Sequence, residues 1–476
     1  MKRKLISVIL TLAMVIAMFS GCGKTTGTTG DNGKVTEGGK EEADGGETVD
    51  GEVAEEGTEE VEATAVTTVG PDNGTHFEMW SFVELHNTFY ASMLEKWNAA
   101  NPDKQIKITF TTYPYGDMHN KLMLANQSGT GAPDLCDVEI GQFPNFLQGE
   151  VQFYPLNDAV APYKDDLVQS RLDIYGKDGN YYGAPTHVGA TVMYYNTKVL
   201  AEYGIDYKTI KTWEDFTKAG EELNKASNGE VHMTSVDTAG VDWLWVAMAE
   251  YGEDWTGGEG GTANVELESV KKMLTMQQDW LESGVAMVSP GGHVDLEEGF
   301  ANIIDGKIVA FPKAMWYMSR FLNYMPEMTD TWAIAPCPVF EEGQPRSVGI
   351  GGTGTIVSKQ SENPELAAEF LSFAKLSYDG NAGIWNTLGF DTCNTSIWTD
   401  TSITGDQSNQ YISYFVTNPF DTLNEIKEEI GKISVVRISP TINEQLCNVT
   451  LNEVLEEGMS VDDALAEAQD VISLEQ

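Results

Sequence analysis

The stretch Thr75–Ile140 reads THFEMWSFVELHNTFYASMLEKWNAANPDKQIKITFTTYPYGDMHNKLMLANQSGTGAPDLCDVEI, and its rhythm decides the fold. THFEMWSF is a short strand. In HNTFYASMLEKWNAANPD the apolar residues Phe89, Met93, Leu94 and Trp97 recur at helical spacing, and Asn101-Pro102 ends the helix. Ile106, Ile108 and Phe110 then alternate as a strand, GDMHNKLMLANQS makes a second helix closed by glycines, and LCDVEI is a third strand. A β-α-β-α-β opening predicts an α/β fold, a sheet flanked by helices.

Downstream the style persists. KDGN, Lys177–Asn180, is a hairpin turn between Tyr-rich strands, and Thr212–Asp215 carries a capping-box pattern. Pro364 follows Asn363 at the first position of a helix, and SVDDALAEAQDVI is a capped amphipathic helix. No internal repeat is present. The glycine cluster Gly349–Gly354 lacks the Lys and Ser/Thr of a phosphate loop and reads as a tight turn between domains.

Upstream, Lys2, Arg3 and Lys4 precede an apolar run, Leu5–Met18, too short to span a bilayer, which takes roughly 20 apolar residues. This is a secretory leader, residues 1–21. Residues 22–74 are Gly-rich, acidic and without hydrophobic period, and predict a disordered tether, with an interaction tail as the alternative.

The chain has 476 residues, enough for two lobes, and 73 acidic against 29 basic residues, a formal charge of −44. Nucleic acid and anionic membrane surfaces repel such a chain, so a nucleic-acid role is excluded and a neutral or cationic ligand is expected. Cys136, Cys337, Cys393 and Cys447 form no CxxC pair and read as buried free thiols, with a disulfide among them as the alternative. The six histidines show no metal-ligand spacing; His187 reads as a satisfied structural histidine. No cofactor or metal is signalled. The signatures HExxH, GxSxG, the Walker loop and GxGxxG are all missing, yet abundant Asp and Glu keep a two-carboxylate glycosidase open.

Tryptophan stands out, with eleven residues. Sugars show apolar C–H faces and hydroxyls, so a sugar site needs flat aromatic rings beside planar hydrogen-bonding side chains. About half of these tryptophans are expected in the core, Trp97 and Trp280 most clearly by helical phase.

PDLCDVEIGQFPNFLQGE, YYGAPTHVGATVMYYNTKVL, KTWEDFTKAGEEL, GKIVAFPKAMWYM, SENPELAAEFLSFAK and VDDALAEAQ, in this order, resemble the family 1 extracellular solute-binding proteins, the maltose-binding-type receptors of carbohydrate ABC transporters. The resemblance runs from Phe77 to the end and is nearest to lactose or arabino-oligosaccharide receptors. It implies a two-lobed periplasmic-binding-protein-like fold with hinge strands around Thr186–Gly189 and Gly349–Gly354, and a ligand cleft between lobes. It implies a monomer that hands a carbohydrate to membrane permease subunits and is not an enzyme; a surface sugar sensor or adhesion protein is the further alternative. The lobes expected are 75–186 with 351–390, and 187–350, with 391–476 packing mainly on the second. Phe19–Cys22 resembles a lipobox, which makes Cys22 the lipidated mature N-terminus and puts the protein on the extracytoplasmic face of the cell membrane. Carried over, the cleft residues are Trp80, Ser81, Glu84, Glu139 and Gln142 from the first lobe, and Asp242, Trp243 and Trp316 from the second. Val138 stands where maltose receptors have an aromatic, which argues against maltodextrin. Glu444 stands where another ligand aromatic is common, and Trp385 is expected to supply that platform.

Overall fold

The structure, a computed structural model, describes residues 62–258 and 261–476. The expected leader 1–21, Cys22 and most of the expected tether lie outside the described residues.

One sheet has six strands: β1 (Ala65–Val69), β2 (Thr75–Ser81), β3 (Ile106–Thr112), β4 (Leu135–Glu139), β7 (Ala184–Pro185) and β14 (Thr353–Val357), in the order β1-β3-β2-β4-β14-β7. β2 pairs parallel with both β3 and β4, as the opening β-α-β-α-β pattern requires. Between them α1 (Glu84–Ala100) buries Phe89, Tyr90, Met93, Leu94 and Trp97, and α2 (Tyr115–Ser128) ends on Gly129 at φ 73°. β1 corrects the tether boundary. Ala65–Val69 pairs antiparallel with β3 from Ala65↔Thr112 to Val69↔Ile108, so the sheet begins well before residue 74. The run AVTTV is β-branched throughout its last four positions, which fits a pleated edge. Past the sheet's centre, β5 (Gly176–Lys177) and β6 (Asn180–Tyr181) close the KDGN hairpin, with Asp178 and Gly179 both at positive φ.

The second half is built on β8 (Thr191–Asn196), every residue of which is buried, between β11 (Ala310–Ala314) and β12 (Trp332–Ala335). β9 (Thr234–Val236) pairs parallel with β10 (Ala286–Val288) beside it. Helices α3 (Trp213–Ala226), α4 (Asp242–Tyr251), α5 (Glu268–Ser283) and the later α6 (Ser439–Gln445) and α7 (Val461–Ile472) pack a second apolar cluster. α3 starts on the Thr212/Asp215 capping box, and Ser460 caps α7.

Two segments join these bodies side by side. One runs from β7 through Gly189 to β8; the other runs from β13 (Ser347–Val348) through Gly351 to β14. β13 also pairs with β15 (Ile430–Gly431). The Ile350 amide donates to the Gly189 carbonyl at 2.8 Å. Gly189 sits at φ 73°, and a β-carbon there would come within 2.2 Å of the Ile350 oxygen. Only glycine lets the crossings lie this close. Of the later chain, Ile397–Ile426 packs into the apolar cluster that includes α1, while Ile438–Ile472 packs with α4 and α5.

The core takes more tryptophan than expected. Nine of the eleven are buried, and only Trp245 and Trp316 keep partial exposure. Cys136, Cys337 and Cys393 are buried free thiols, and Cys447 is half-buried. His187 is buried but not satisfied: neither ring nitrogen has a partner among the described residues. It packs edge-on against Phe390 at 4.7 Å, and burial with the nearby Arg171 charge keeps the ring neutral, its pKa far below the usual histidine range. Among the described residues no helix is long and apolar enough to cross a membrane, and no acidic, histidine or cysteine cluster could hold a metal.

Candidate functional site

The parallel strands β2, β3 and β4 end on one edge, with Ser81 and Glu139 as the last residues of β2 and β4 and Tyr115 at the start of α2 just after β3. Glu139, half-buried, folds back on its own turn: its Oε2 accepts the Gly141 amide at 2.7 Å and the Tyr115 hydroxyl at 3.0 Å. His119 clips the same two segments together. Its Nδ1–H donates to the Tyr115 carbonyl at 2.7 Å, and its Nε2 accepts the Glu139 amide at 3.1 Å. Burial lowers His119 to about 4, so the ring is neutral with both nitrogens in use. Burial raises Glu139 to about 7, against the pull of its hydrogen bonds and the Arg171 charge. Gln142 follows in the turn, half-buried, its amide donating to the Glu139 carbonyl at 3.1 Å.

The other first-lobe candidates fare differently. Ser81 is buried, and its hydroxyl donates to Asn87 Oδ1 at 2.8 Å, so it serves the start of α1. Trp80 is buried against the edge of Tyr113, with the Lys121 ammonium 5.4 Å above its ring. Neither offers a free face. Glu84 opens α1 and is exposed.

In the second lobe, β11 carries a lysine in a fully buried strand. Lys313 is 1% exposed, and its ammonium donates to Asp242 at 2.5 Å and Asp237 at 3.3 Å, with His293 Nε2 at 3.4 Å. Burial opposes its charge, but the two carboxylates hold its pKa well above the usual lysine value. Asp242 is likewise desolvated, yet Lys313 and His293 hold it below the usual carboxylate range. Asp242 therefore keeps a charged, partly exposed carboxylate at the start of α4. Trp243, one residue on, turns about 100° around the helix into the core. It packs 5.7 Å from Trp213 and 5.4 Å from Trp280, which removes it from the cleft residues.

Trp316 follows β11 and remains half-exposed. Its indole N–H donates to the Ile350 carbonyl at 3.3 Å, and the Arg320 guanidinium lies 5.5 Å from its ring. A β-carbon at Gly351 would lie 3.1 Å from the indole nitrogen. Trp385 is not a platform: it is fully buried, with Phe420 at 4.3 Å and Tyr411 at 5.9 Å. Glu444 lies exposed on α6, one turn before Cys447, whose thiol is pushed up to about 12 by burial and by the nearby Asp242 and Asp237 charges.

Arg171 ties the two sides. Its guanidinium is buried and donates to the carbonyls of His187 and Gly351, the residue beneath Trp316, while its charge acts on Glu139. Arg171, Gly351 and Trp316 thus form one connected series across the crossing, and the Arg171 charge reaches Glu139 through space. A cavity of about 870 Å3 is lined by Arg171, Val188, Gly349, Lys432 and Val435. Glu139, Asp242 and Trp316 do not line it, so it adjoins the series without containing it.

Sequence reasoning missed Tyr115, His119, Arg171, Asp237 and Lys313. For Lys313 a signal existed, a lone lysine within the apolar strand AFPKA. A charge there persists only when paired.

Fixed acceptors, a half-exposed indole and glycine crossings suit binding. Residues 81–376 match the family described as bacterial extracellular solute-binding protein. The chain belongs to this family. It is a binding protein and not an enzyme, and the glycosidase alternative falls away. It is 37% identical to an arabinooligosaccharide-binding protein of Halalkalibacterium halodurans, over 86% of this chain and 92% of that one. It is 35% identical to an arabinooligosaccharide-binding protein of Bacillus subtilis, over 78% and 85%. Among solved structures, the sugar-binding protein MalE of Xanthomonas citri superposes with a TM-score of 0.68 at 17% identity, covering 84% of this chain and 98% of that one. An ABC substrate-binding protein of Listeria monocytogenes, in complex with cycloalternan, gives 0.68 at 20%, covering 85% and 99%. These likenesses give the two-lobed α/β fold.

Proposed function

We propose that this protein is the receptor of a carbohydrate ABC transporter, capturing a neutral arabinose-containing oligosaccharide in an interlobe cleft and delivering it to membrane permease subunits. The observation that carries the reading is the 37% identity to an arabinooligosaccharide-binding protein across nearly the full length of both chains. The site chemistry supports it: Glu139 and Gln142 on one side and Asp242 on the other supply hydroxyl partners, and Trp316 supplies a ring face. We assign 75–186 and 351–390 to the first lobe and 187–350 to the second, with β1 added to the first. The protein acts as a monomer, held on the extracytoplasmic face by a lipid on Cys22.

Calorimetric titration with α-1,5-linked arabinotriose, lactose and maltotriose tests the ligand. Saturable binding of arabinotriose in preference to the others is expected, and no heat from any sugar overturns the reading. Fractionating cells that carry Cys22→Ala tests the anchor, and protein that stays membrane-bound removes it. Growth of a deletion strain on arabino-oligosaccharides separates transport from a sensor or adhesion role, since normal uptake without the protein is incompatible with delivery.

A further inference from the structure

Val138, one residue before Glu139, is fully buried in a cluster with Ile140, Phe143 and Ile356 and offers nothing to a ligand. The aromatic ring beside Glu139 comes from the neighbouring strand end, through the Tyr115 hydroxyl at 3.0 Å from Glu139 Oε2. Tyr115 opens α2 just after β3, and 43% of the residue is exposed.

A surface tyrosine with that exposure ordinarily keeps its rotamer freedom. This one is held. Phe82 stands edge-on to its ring at 5.3 Å, and the His119 ring lies 4.7 Å away. The hydroxyl is fixed on Glu139 Oε2, and the backbone is fixed by the His119 clip. Ordering an aromatic ring before any ligand arrives removes an entropic cost of binding. With these contacts made, 43% of the residue is still open to solvent.

We propose that Tyr115 is a sugar-stacking residue of the first lobe, offering its exposed ring to the apolar C–H face of a neutral oligosaccharide unit while Glu139 accepts a hydroxyl of that same unit. The proposal rests on the oligosaccharide-receptor reading. A carboxylate has about four lone-pair sites, so the bonds from Gly141 and Tyr115 leave Glu139 capacity for a hydroxyl. The pairing selects a unit that presents a C–H face beside a hydroxyl edge, and selects against an anionic sugar, which meets Glu139 as a like charge.

The test is titration of wild type, Tyr115→Phe, Tyr115→Leu and Tyr115→Ala with α-1,5-linked arabinotriose, each variant first checked for a two-state thermal melt. Tyr115→Ala and Tyr115→Leu should each lose roughly tenfold or more in affinity, and Tyr115→Phe, which keeps the ring, clearly less. Wild-type affinity in the folded Ala or Leu variant overturns the proposal, as does a Phe variant as weak as Leu. Should Ala fail to fold, the Phe–Leu comparison decides alone. Wild type that binds no sugar removes the receptor reading, and this inference with it, whereas a binding wild type with unaltered variants removes this inference only.

Discussion

Trp316 of the second half hydrogen-bonds Ile350 of the crossing segment, indole N–H to carbonyl at 3.3 Å, so the half-exposed ring is braced against the joint between the two bodies. The ring is therefore positioned by the part of the chain that any rotation between lobes would bend.

Trp316→Ala should weaken every sugar that binds. Losing a large apolar contact costs about 1.5–3 kcal/mol, or roughly ten- to a hundredfold in affinity. Trp316→Phe keeps a ring but not the N–H, and should fall between the two. Calorimetry on the folded variants reads this directly, and equal affinities would exclude Trp316 from the site.

Glu139 titrates near 7, raised by burial, so its charge changes across the neutral range. As a hydroxyl acceptor it works best as the carboxylate, and affinity should rise as pH climbs from 6 to 8. Charge-assisted bonds are roughly twice as strong as neutral ones, so Glu139→Gln should bind more weakly at pH 8 and show no such rise. A wild-type affinity that is flat over this range would disconnect Glu139 from the ligand.

Stability should follow a different course with pH. Burial raises Glu139 and Asp391 to about 7 and Glu250 to about 8, so the folded state holds these protons more tightly than the unfolded one. Their contribution is full below the unfolded carboxylate range and is lost as pH rises to about 8. Buried His119, at about 4, and His187 act oppositely, destabilising the fold in acid until the unfolded histidines also lose their protons near 6.5. Between 6.5 and 8 the three carboxylates outweigh the tail of the histidine titration and Lys375, which burial lowers to about 8 and which acts the other way, so the melting temperature should fall over that interval. Glu250→Gln, at the carboxyl that accepts from Trp213 and Phe340, should flatten the fall. A melting temperature that climbs from 6.5 to 8 would contradict this balance.

Lys313→Met leaves Asp237 and Asp242 facing each other without their cation. Breaking a buried ion group by removing one partner costs about 3–5 kcal/mol, which should appear as a large drop in melting temperature. Gly189→Ala is predicted to destabilise through the backbone instead, because its β-carbon meets the Ile350 oxygen. Denaturant titration distinguishes severe loss in both from the small change expected of a surface substitution such as Glu444→Gln.

Much of the fold was legible because burial writes a period into the chain. Alternation gave β3, 3.6-residue spacing gave α1, and a capping box marked α3. β1 was obscured by the acidic, Gly-rich stretch before it, although AVTTV is a strand-forming run. The site was less legible, for a geometric reason. Asp242 and Trp243 are neighbours in sequence, but a helix sends one to Lys313 and the other into a tryptophan core. The same logic hid Trp385, since a tryptophan beside polar residues looks identical whether its ring meets solvent or Phe420. Tyr115, His119 and Glu139 are joined only by the sheet, and no spacing along the chain announces them.

The direction of β1 carries a mechanical consequence. Because it runs antiparallel to β3, its first residue, Ala65, lies opposite Thr112, at the strand end from which Tyr115 is launched, and Val69 lies at the far pole. The polypeptide thus enters the sheet at the rim that carries Glu139. If the chain is held by the lipid proposed on Cys22, a pull would load that rim first, drawing the Glu139 end of the sheet, rather than the Val69 end, toward the membrane.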